Sequence, residues 1–335
     1  PLAVSQMRTS PSYDDEQIRL PSLERLREEK EPRSATAKHL TEKGKRGKKV
    51  MDTRSQRKAR MQKYVLFKPG ERFYKGKWEV TQLIDNGGFG VVYEAWNNEK
   101  SMFAALKAEP TTSTGESQLK QEILVLRTVN ATGKTEHFPR IHAFSKHRNF
   151  AFIIMSLCGP NLKALRSCEM KQPRRERKPD DMVQDHYLLG VGSWVRVGMQ
   201  SLYAIKTLHD FGFVHRDIKP ANFVVGTGQD MTTIFMLDFG LSRSYAFKSR
   251  RDDLWSFFYI LIEAHCGLPW QFELDRKELE RIKCTISDKE LTKNLPKRLR
   301  VCVSDLRLLD IYSRPDYAAI HRVLLELKTM ESVNR

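Results

Sequence analysis

Val214-His215-Arg216-Asp217-Ile218-Lys219-Pro220-Ala221-Asn222 is the stretch whose reading decides the fold. Phe223-Val224-Val225 and then Ile234-Phe235-Met236-Leu237 follow it, and Asp238-Phe239-Gly240 closes the run. An Asp-Phe-Gly tripeptide alone carries little information. Two acid-bearing motifs in this order, joined by runs of β-branched and aromatic residues suited to strands, are hard to obtain by chance. The bland alternative is a solvated turn with scattered charges.

The first motif matches the pattern H-R-D-L-x-x-x-N with Ile218 in place of Leu, and the D-F-G of the second is intact. Together they resemble the catalytic loop and metal-binding motif of protein kinases. The resemblance implies phosphoryl transfer, which depends on positioning and charge neutralisation more than on covalent help. Asp217 would accept the proton of a substrate hydroxyl. Lys219 would contact the transferred phosphate, as in serine/threonine kinases. Asn222 and Asp238 would supply the hard oxygen ligands that magnesium prefers.

Upstream, Trp78 to Ile84 reads as a strand leading into Asp85-Asn86-Gly87-Gly88-Phe89-Gly90-Val91-Val92. This looks like the kinase glycine-rich loop, with Gly87 and Gly90 at its second and third glycines. Glycine lets backbone approach phosphates without Cβ obstruction. Asp85 stands at the first glycine position, a departure that would weaken nucleotide binding if it points inward. Phe103-Ala104-Ala105-Leu106-Lys107 resembles V-A-I-K, with Lys107 on the α- and β-phosphates. Leu119, Ile123 and Leu126 share one helical face. Glu122 on that helix is the expected carboxylate partner of Lys107, with Glu116 as the second candidate. Phe150 to Met155 reads as a buried strand, Met155 as the gatekeeper behind adenine, and Ser156 to Pro160 as the hinge. Backbone groups near Leu157 and Cys158 would bind adenine; Ile84, Val92 and Ala105 complete the expected nucleotide contacts.

The resemblance runs from Trp78 to about Leu327. It points to the casein kinase 1 superfamily and, within it, to tau-tubulin kinase-like members. The residues that carry this are His215 to Phe223, Gly159-Pro160-Asn161-Leu162, Arg251-Asp252-Asp253-Leu254-Trp255-Ser256, Leu268-Pro269-Trp270 and Arg314-Pro315-Asp316-Tyr317. It implies an α+β, two-lobed kinase fold: a small β-rich N-lobe over 73–156, a larger helical C-lobe over 157–330, and ATP with Mg2+ in the cleft. Leu254 to Ile262 would lie in a central buried helix. Asp253 would brace the catalytic loop or cap that helix. Trp194–His209, Glu273–Lys283, Leu299–Leu309 and Pro315–Lys328 read as further helices, with Leu291 to Pro296 as a connector.

One gap stands out. Asp252 follows Gly240 by only twelve positions, and the segment 241–251 holds neither A-P-E nor the Gly-Thr-x-Arg-Tyr-like platform of family members. Eleven residues reach about 36–40 Å fully extended, enough to connect but not to build that platform as well. ATP-handling groups are therefore expected to persist while peptide phosphorylation is poor.

Composition bounds the rest. The chain has 335 residues, 40% of them apolar, enough for one large domain plus an extension. With 58 Lys and Arg against 41 Asp and Glu, the net charge is +17, which favours acidic partners. Cys158, Cys168, Cys266, Cys284 and Cys302 form no C-x-x-C pair, which argues against a disulfide framework or zinc site. Residues 1–68 are polar and charged, and read as a disordered basic extension. Its Lys43-Gly44-Lys45-Arg46-Gly47-Lys48-Lys49 run is a solvated tail or a nuclear-localisation or polyanion patch. The Pro-flanked basic run from Lys171 to Gly190 reads as a mobile loop, solvated or recruiting acidic or phosphorylated protein. No apolar run suggests a signal peptide or a membrane span, so a soluble monomer in cytoplasm or nucleus is expected. The partners expected are ATP and protein substrates. A non-catalytic kinase-like ATP-binding or scaffold module is the alternative function. Nucleic-acid binding is disfavoured, because no aromatics interleave the tail's charges.

Overall fold

Period-two burial organises the first part of the chain. In a computed structural model, the residues described are 66–87, 90–110, 117–133, 136–147, 149–169, 189–244, 250–270, 275–310 and 313–333, with side chains at 166–169 and 331–333 excepted. They divide into a smaller unit, with residues to 110 and Ala143–Ile154, and a larger one holding the rest.

The smaller unit is built on β1 (Arg72–Phe73), β2 (Trp78–Gly87), β3 (Gly90–Asn97) and β4 (Met102–Pro110), joined by most of β5 (Ile141–Lys146) and β6 (Phe150–Ser156). The sheet order is β1-β2-β3-β4-β6-β5, and the first three pairings are antiparallel. On β3, Val91, Tyr93 and Ala95 are buried while Val92, Glu94 and Trp96 are half-buried on the other face, as a pleated strand requires. The buried set packs with Phe73, Trp78, Val80, Ala104, Leu106 and Phe152.

Phe67 belongs to this core, although composition assigns it to the extension. It is 1% exposed, with ring centroids 5.2 Å from Phe73, 5.3 Å from Phe150 and 5.7 Å from Tyr93. The Tyr93 hydroxyl accepts from the backbone N–H groups of Leu66 and Phe67. The packed unit therefore begins before residue 73. An average over a charged stretch hides one well-placed aromatic at its end.

In the larger unit, α1 (Gln118–Asn130) is capped by Ser117, whose hydroxyl accepts from Lys120 N. It buries Leu119, Glu122, Ile123, Val125, Leu126 and Val129. It packs on the 3₁₀ turn Phe239–Leu241 and forms part of the larger unit with it. A Cβ at Gly240 would lie 2.9 Å from Gln118 Cβ, so only glycine permits that approach. After α2 (Leu162–Glu169), the long α3 (Val191–Asp210) delivers the chain to β7 (Phe213–Val214), β8 (Phe223–Val225) and β9 (Ile234–Met236). β10 (Arg243–Ser244) then pairs antiparallel with β7.

Helix α4 (Arg250–His265) is the apolar axis of this unit, burying Leu254, Phe257, Phe258, Ile260, Leu261 and Ile262. Gly198 on α3 brings Leu261 so close that an added Cβ would sit 2.9 Å from its Cδ2. Trp194 donates its indole N–H to Leu261 O at 2.9 Å. The chain continues through α5 (Arg276–Thr285), α6 (Asp288–Leu291), α7 (Lys297–Leu308) and α8 (Tyr317–Val333). Pro315 falls outside α8, contrary to expectation. Asp316 marks its start instead, with Oδ1 accepting Ala319 N at 2.8 Å. The short α6, capped by Ser287, was not signalled by periodicity because a single turn has none.

Residues 1–65, with the basic run 43–49, the stretch 170–188, Glu116, Gly88, Phe89 and residues 245–249 lie outside the described residues. No helix among the described residues is long and apolar enough to cross a membrane.

Replacing Phe67 by Ala removes a fully buried ring and should cost about 3–5 kcal/mol, read as a lowered midpoint in denaturant unfolding. A change under about 0.5 kcal/mol would show that Phe67 lies outside the core.

Candidate active site

Residues 215–222 fold as they do because a buried carboxylate holds their backbone. Asp253, on the first turn of α4, accepts the His215 N–H at 2.7 Å on Oδ2 and the Arg216 N–H at 2.9 Å on Oδ1. Its Oδ2 also meets His209 Nε2 at 2.9 Å. Asp253 thus braces the loop and does not cap α4, which starts three residues earlier. Arg216 sits at φ +67°, a left-handed conformation costing a non-glycine residue on the order of 1 kcal/mol. The two charge-assisted bonds offset that cost. Burial alone would push the Asp253 carboxyl up. The hydrogen bonds from His209 and from the His215 N–H counter it and hold the carboxyl below its ordinary value.

His215 is fully buried and joins the two motifs. Its Nε2 donates to Leu237 O at 3.0 Å, and its Nδ1 accepts from Asp217 N at 3.3 Å. This pattern needs the neutral ring. Burial lowers its pKa despite the raising effects of Asp253, the Leu237 carbonyl, Asp238 and Asp217.

From here the loop turns on Lys219, which is extended, into the 3₁₀ turn Pro220–Asn222. The turn folds Asn222 back on Asp217: its Nδ2 donates to Asp217 O at 2.8 Å and to Oδ2 at 3.1 Å. Lys219 Nζ lies 2.5 Å from the same Oδ2. The side chain of Asp217 stays about one-fifth exposed, at 22%, so the acid is held in place and still reachable. With its amide nitrogen engaged, the amide oxygen is what Asn222 has to offer a cation.

The hairpin of β8 and β9 brings up the second acid. Phe223 pairs with Met236, and Leu237 N donates to Asn222 O at 2.9 Å. Asp238 follows at φ +66°. Phe239 is buried, stacked on Phe138 at 5.8 Å. The larger unit therefore gathers Asp217, Lys219, Asn222 and Asp238 around one hairpin. Glu122 of α1 is buried in the same unit, at 1% exposure.

The hinge residues lie beside the same hairpin. Gly159 N donates to Val225 O, Val225 N to Pro160 O, and the Thr227 hydroxyl to Leu157 O. Met155 is buried. Burial, reinforced by the Asp230 charge, pushes the Cys158 thiol up to about 12, so it is not a nucleophile.

The smaller unit aligns its own candidates. Gly87 pairs with Gly90, Asp85 with Val92, Val92 with Lys107 and Glu94 with Ala105. Gly90 is at φ +127°, and a Cβ there would lie 2.7 Å from Ala108 O; no other residue fits. Ala105 and Lys107 are each 8% exposed. Ile84, at an irregularity of the β2 ladder, is exposed. Directly opposed residues share a sheet face, so Asp85 shares that of Lys107, two strands and roughly 10 Å away.

Residues 78–260, more than half of the chain, match the protein kinase domain. The chain belongs to the protein kinase family. It is 27% identical over 287 residues to a probable serine/threonine-protein kinase of Dictyostelium discoideum, covering 76% of this chain and 54% of that one. It thus spans about half the length of that relative. An inactive tau-tubulin kinase of Caenorhabditis elegans is 27% identical over 62% of this chain and 81% of its own length. A putative casein kinase I of the same organism is 29% identical over 68% of this chain and 70% of its own. The relatives agree with the family expected from the motifs.

Sequence reading proposed residues for nucleotide and substrate, but it gave no role to His209 or Tyr317. His209 lies only six residues before His215, but its partner Tyr317 is 108 residues further on, and no local spacing signals that pairing.

Burial also lowers the pKa of His137, whose Nδ1 bonds Ile234 O at 2.7 Å, and that of His265. With His215 these histidines bind protons more readily unfolded than folded. Their contribution is complete above the unfolded value, about 6.5, and declines as pH falls through the lowered folded values. The melting temperature should therefore drop as pH is taken from about 7.5 to about 5.5. A flat or rising profile would contradict the neutral burial of these rings.

Proposed function

We propose that this kinase-family chain transfers the γ-phosphoryl group of ATP to serine or threonine hydroxyls of protein, slowly for peptides in trans. The observation that carries this reading is Asp217, an accessible carboxylate fixed by Lys219 and Asn222 at the foot of the hairpin that leads into Asp238. Asp217 takes the proton of the attacking hydroxyl. Lys219 neutralises charge at the same point. Asn222 and Asp238 hold the metal, and Lys107 holds the nucleotide's phosphates.

The donor set fits magnesium. No group of three or more His, Cys, Asp or Glu that could hold a metal occurs among the described residues. Two oxygen ligands, with phosphate and water completing the shell, are what magnesium takes in kinase sites. Bound Mg-ATP supplies the phosphoryl group and neutralises charge as transfer proceeds.

The short passage from Gly240 to Asp252 supports low activity toward peptides, because presenting the hydroxyl provides much of the rate. It also favours a second reading, a nucleotide-binding module without catalysis, and one relative bears the word inactive in its name.

Phosphate incorporation into casein and into the chain itself separates the two. Asp217→Asn should lower the rate at least about 100-fold and leave Mg-ATP binding by calorimetry unchanged. Asp238→Asn should weaken that binding at least tenfold. Equal background incorporation by wild type and Asp217→Asn would select the module. No magnesium-dependent ATP uptake by folded protein would end both readings.

Asp85 places a negative charge on the Lys107 face, so Asp85→Gly should tighten Mg-ATP binding about threefold, the scale of a screened interaction near 10 Å. Unchanged affinity would mean that its carboxylate points away from the phosphates.

A further inference from the structure

The catalytic loop's brace is itself held from the far end of the chain. Tyr317, the first residue of α8, is 4% exposed, and its hydroxyl lies 2.6 Å from Nδ1 of His209. His209 is fully buried near the C-terminus of α3, and its other nitrogen meets the Asp253 carboxylate. The start of α8 is pinned beside it by Arg314, whose guanidinium bonds Asp210 at 2.9 Å.

We propose that Tyr317 is a positioning residue for phosphoryl transfer, acting through His209 and Asp253 on the backbone of the catalytic loop. A carboxylate can only accept, so His209 donates from Nε2. In that tautomer Nδ1 is an acceptor, and the Tyr317 O–H is the donor that fills it. The hydroxyl thereby fixes which nitrogen carries the proton and how the ring is turned. The ring in turn fixes the Asp253 carboxylate, whose two oxygens take the N–H groups of His215 and Arg216. Arg216 is the left-handed residue directly before the base Asp217. Without the hydroxyl, Nδ1 loses the donor that favours this tautomer, and the preference for presenting Nε2 to Asp253 is weakened. The carboxylate would then lose its fixed place, and Arg216 would relax toward an ordinary conformation. The role in catalysis rests on Asp217 acting as base, whereas the structural coupling does not.

The test uses the full chain with Tyr317→Phe, which keeps the ring, and Ile320→Val as a control that trims the same buried helix without touching the hydroxyl. Amide hydrogen exchange by NMR should show His215 and Arg216 at least tenfold faster in Tyr317→Phe and unchanged in Ile320→Val, with thermal melts confirming that both fold. Where wild type transfers phosphate, kcat in Tyr317→Phe should fall about tenfold with the KM for ATP unchanged. In wild type, nitrogen-15 spectra should place the His209 proton on Nε2 alone, a readout that needs no variant. Equal exchange at 215 and 216 in all three proteins, the same acceleration in Ile320→Val, or a proton on Nδ1 overturns the proposal. If wild type transfers no phosphate, the catalytic reading fails on its own, and the exchange rates still decide whether Tyr317 holds the loop.

Discussion

The structure turns on one carboxylate. Asp253 is almost fully enclosed, yet both of its oxygens are occupied by backbone donors from a loop 37 and 38 residues away in sequence. Such a group is unfavourable to bury unless every lone pair is served, and here the service is also the function. The bonds that satisfy the carboxylate hold Arg216 in a conformation it would not adopt alone. Beyond its first turn α4 is apolar almost without break from Leu254 to Ile262, and it carries this group into the centre of its unit.

Glycines mark the other constraints, each where a neighbouring element comes too close for a side chain. Gly240 lets α1 rest on the turn after Asp238, and Gly198 lets α3 rest on α4. Gly90 is demanded twice over, by its positive φ and by the Ala108 carbonyl. These contacts are between elements, so a glycine in the sequence says that something approaches without saying what.

That difference explains how much could be read beforehand. His215 to Asn222 and Asp238 to Gly240 were legible because phosphoryl transfer fixes residue types at fixed spacing, and the α4 run was legible because full burial leaves an unbroken apolar pattern. Glu122 was singled out by its place on an amphipathic helix, but the packing of that helix against Phe239–Leu241 was not legible, since it depends on a contact distant in sequence. Phe67 was lost in the average of a charged neighbourhood. The bond from Tyr317 to His209 spans 108 residues, and no periodicity of helix or strand relates positions so far apart. The start of α8 was misplaced for a smaller reason: Pro315 suits a first turn, but Asp316 provides the actual cap.

The pairing of β10 with β7 has a consequence for how this chain can change. Arg243 and Ser244 are zipped to Val214 and Phe213, and α4 resumes at Arg250. Both flanks are thus anchored to the scaffold independently of whatever joins them. Lengthening a connection between fixed posts costs little, roughly 0.6 kcal/mol for each doubling. The fold accordingly has a socket at this point, where connecting sequence of varied length can be gained or shed while the flanking elements remain assembled.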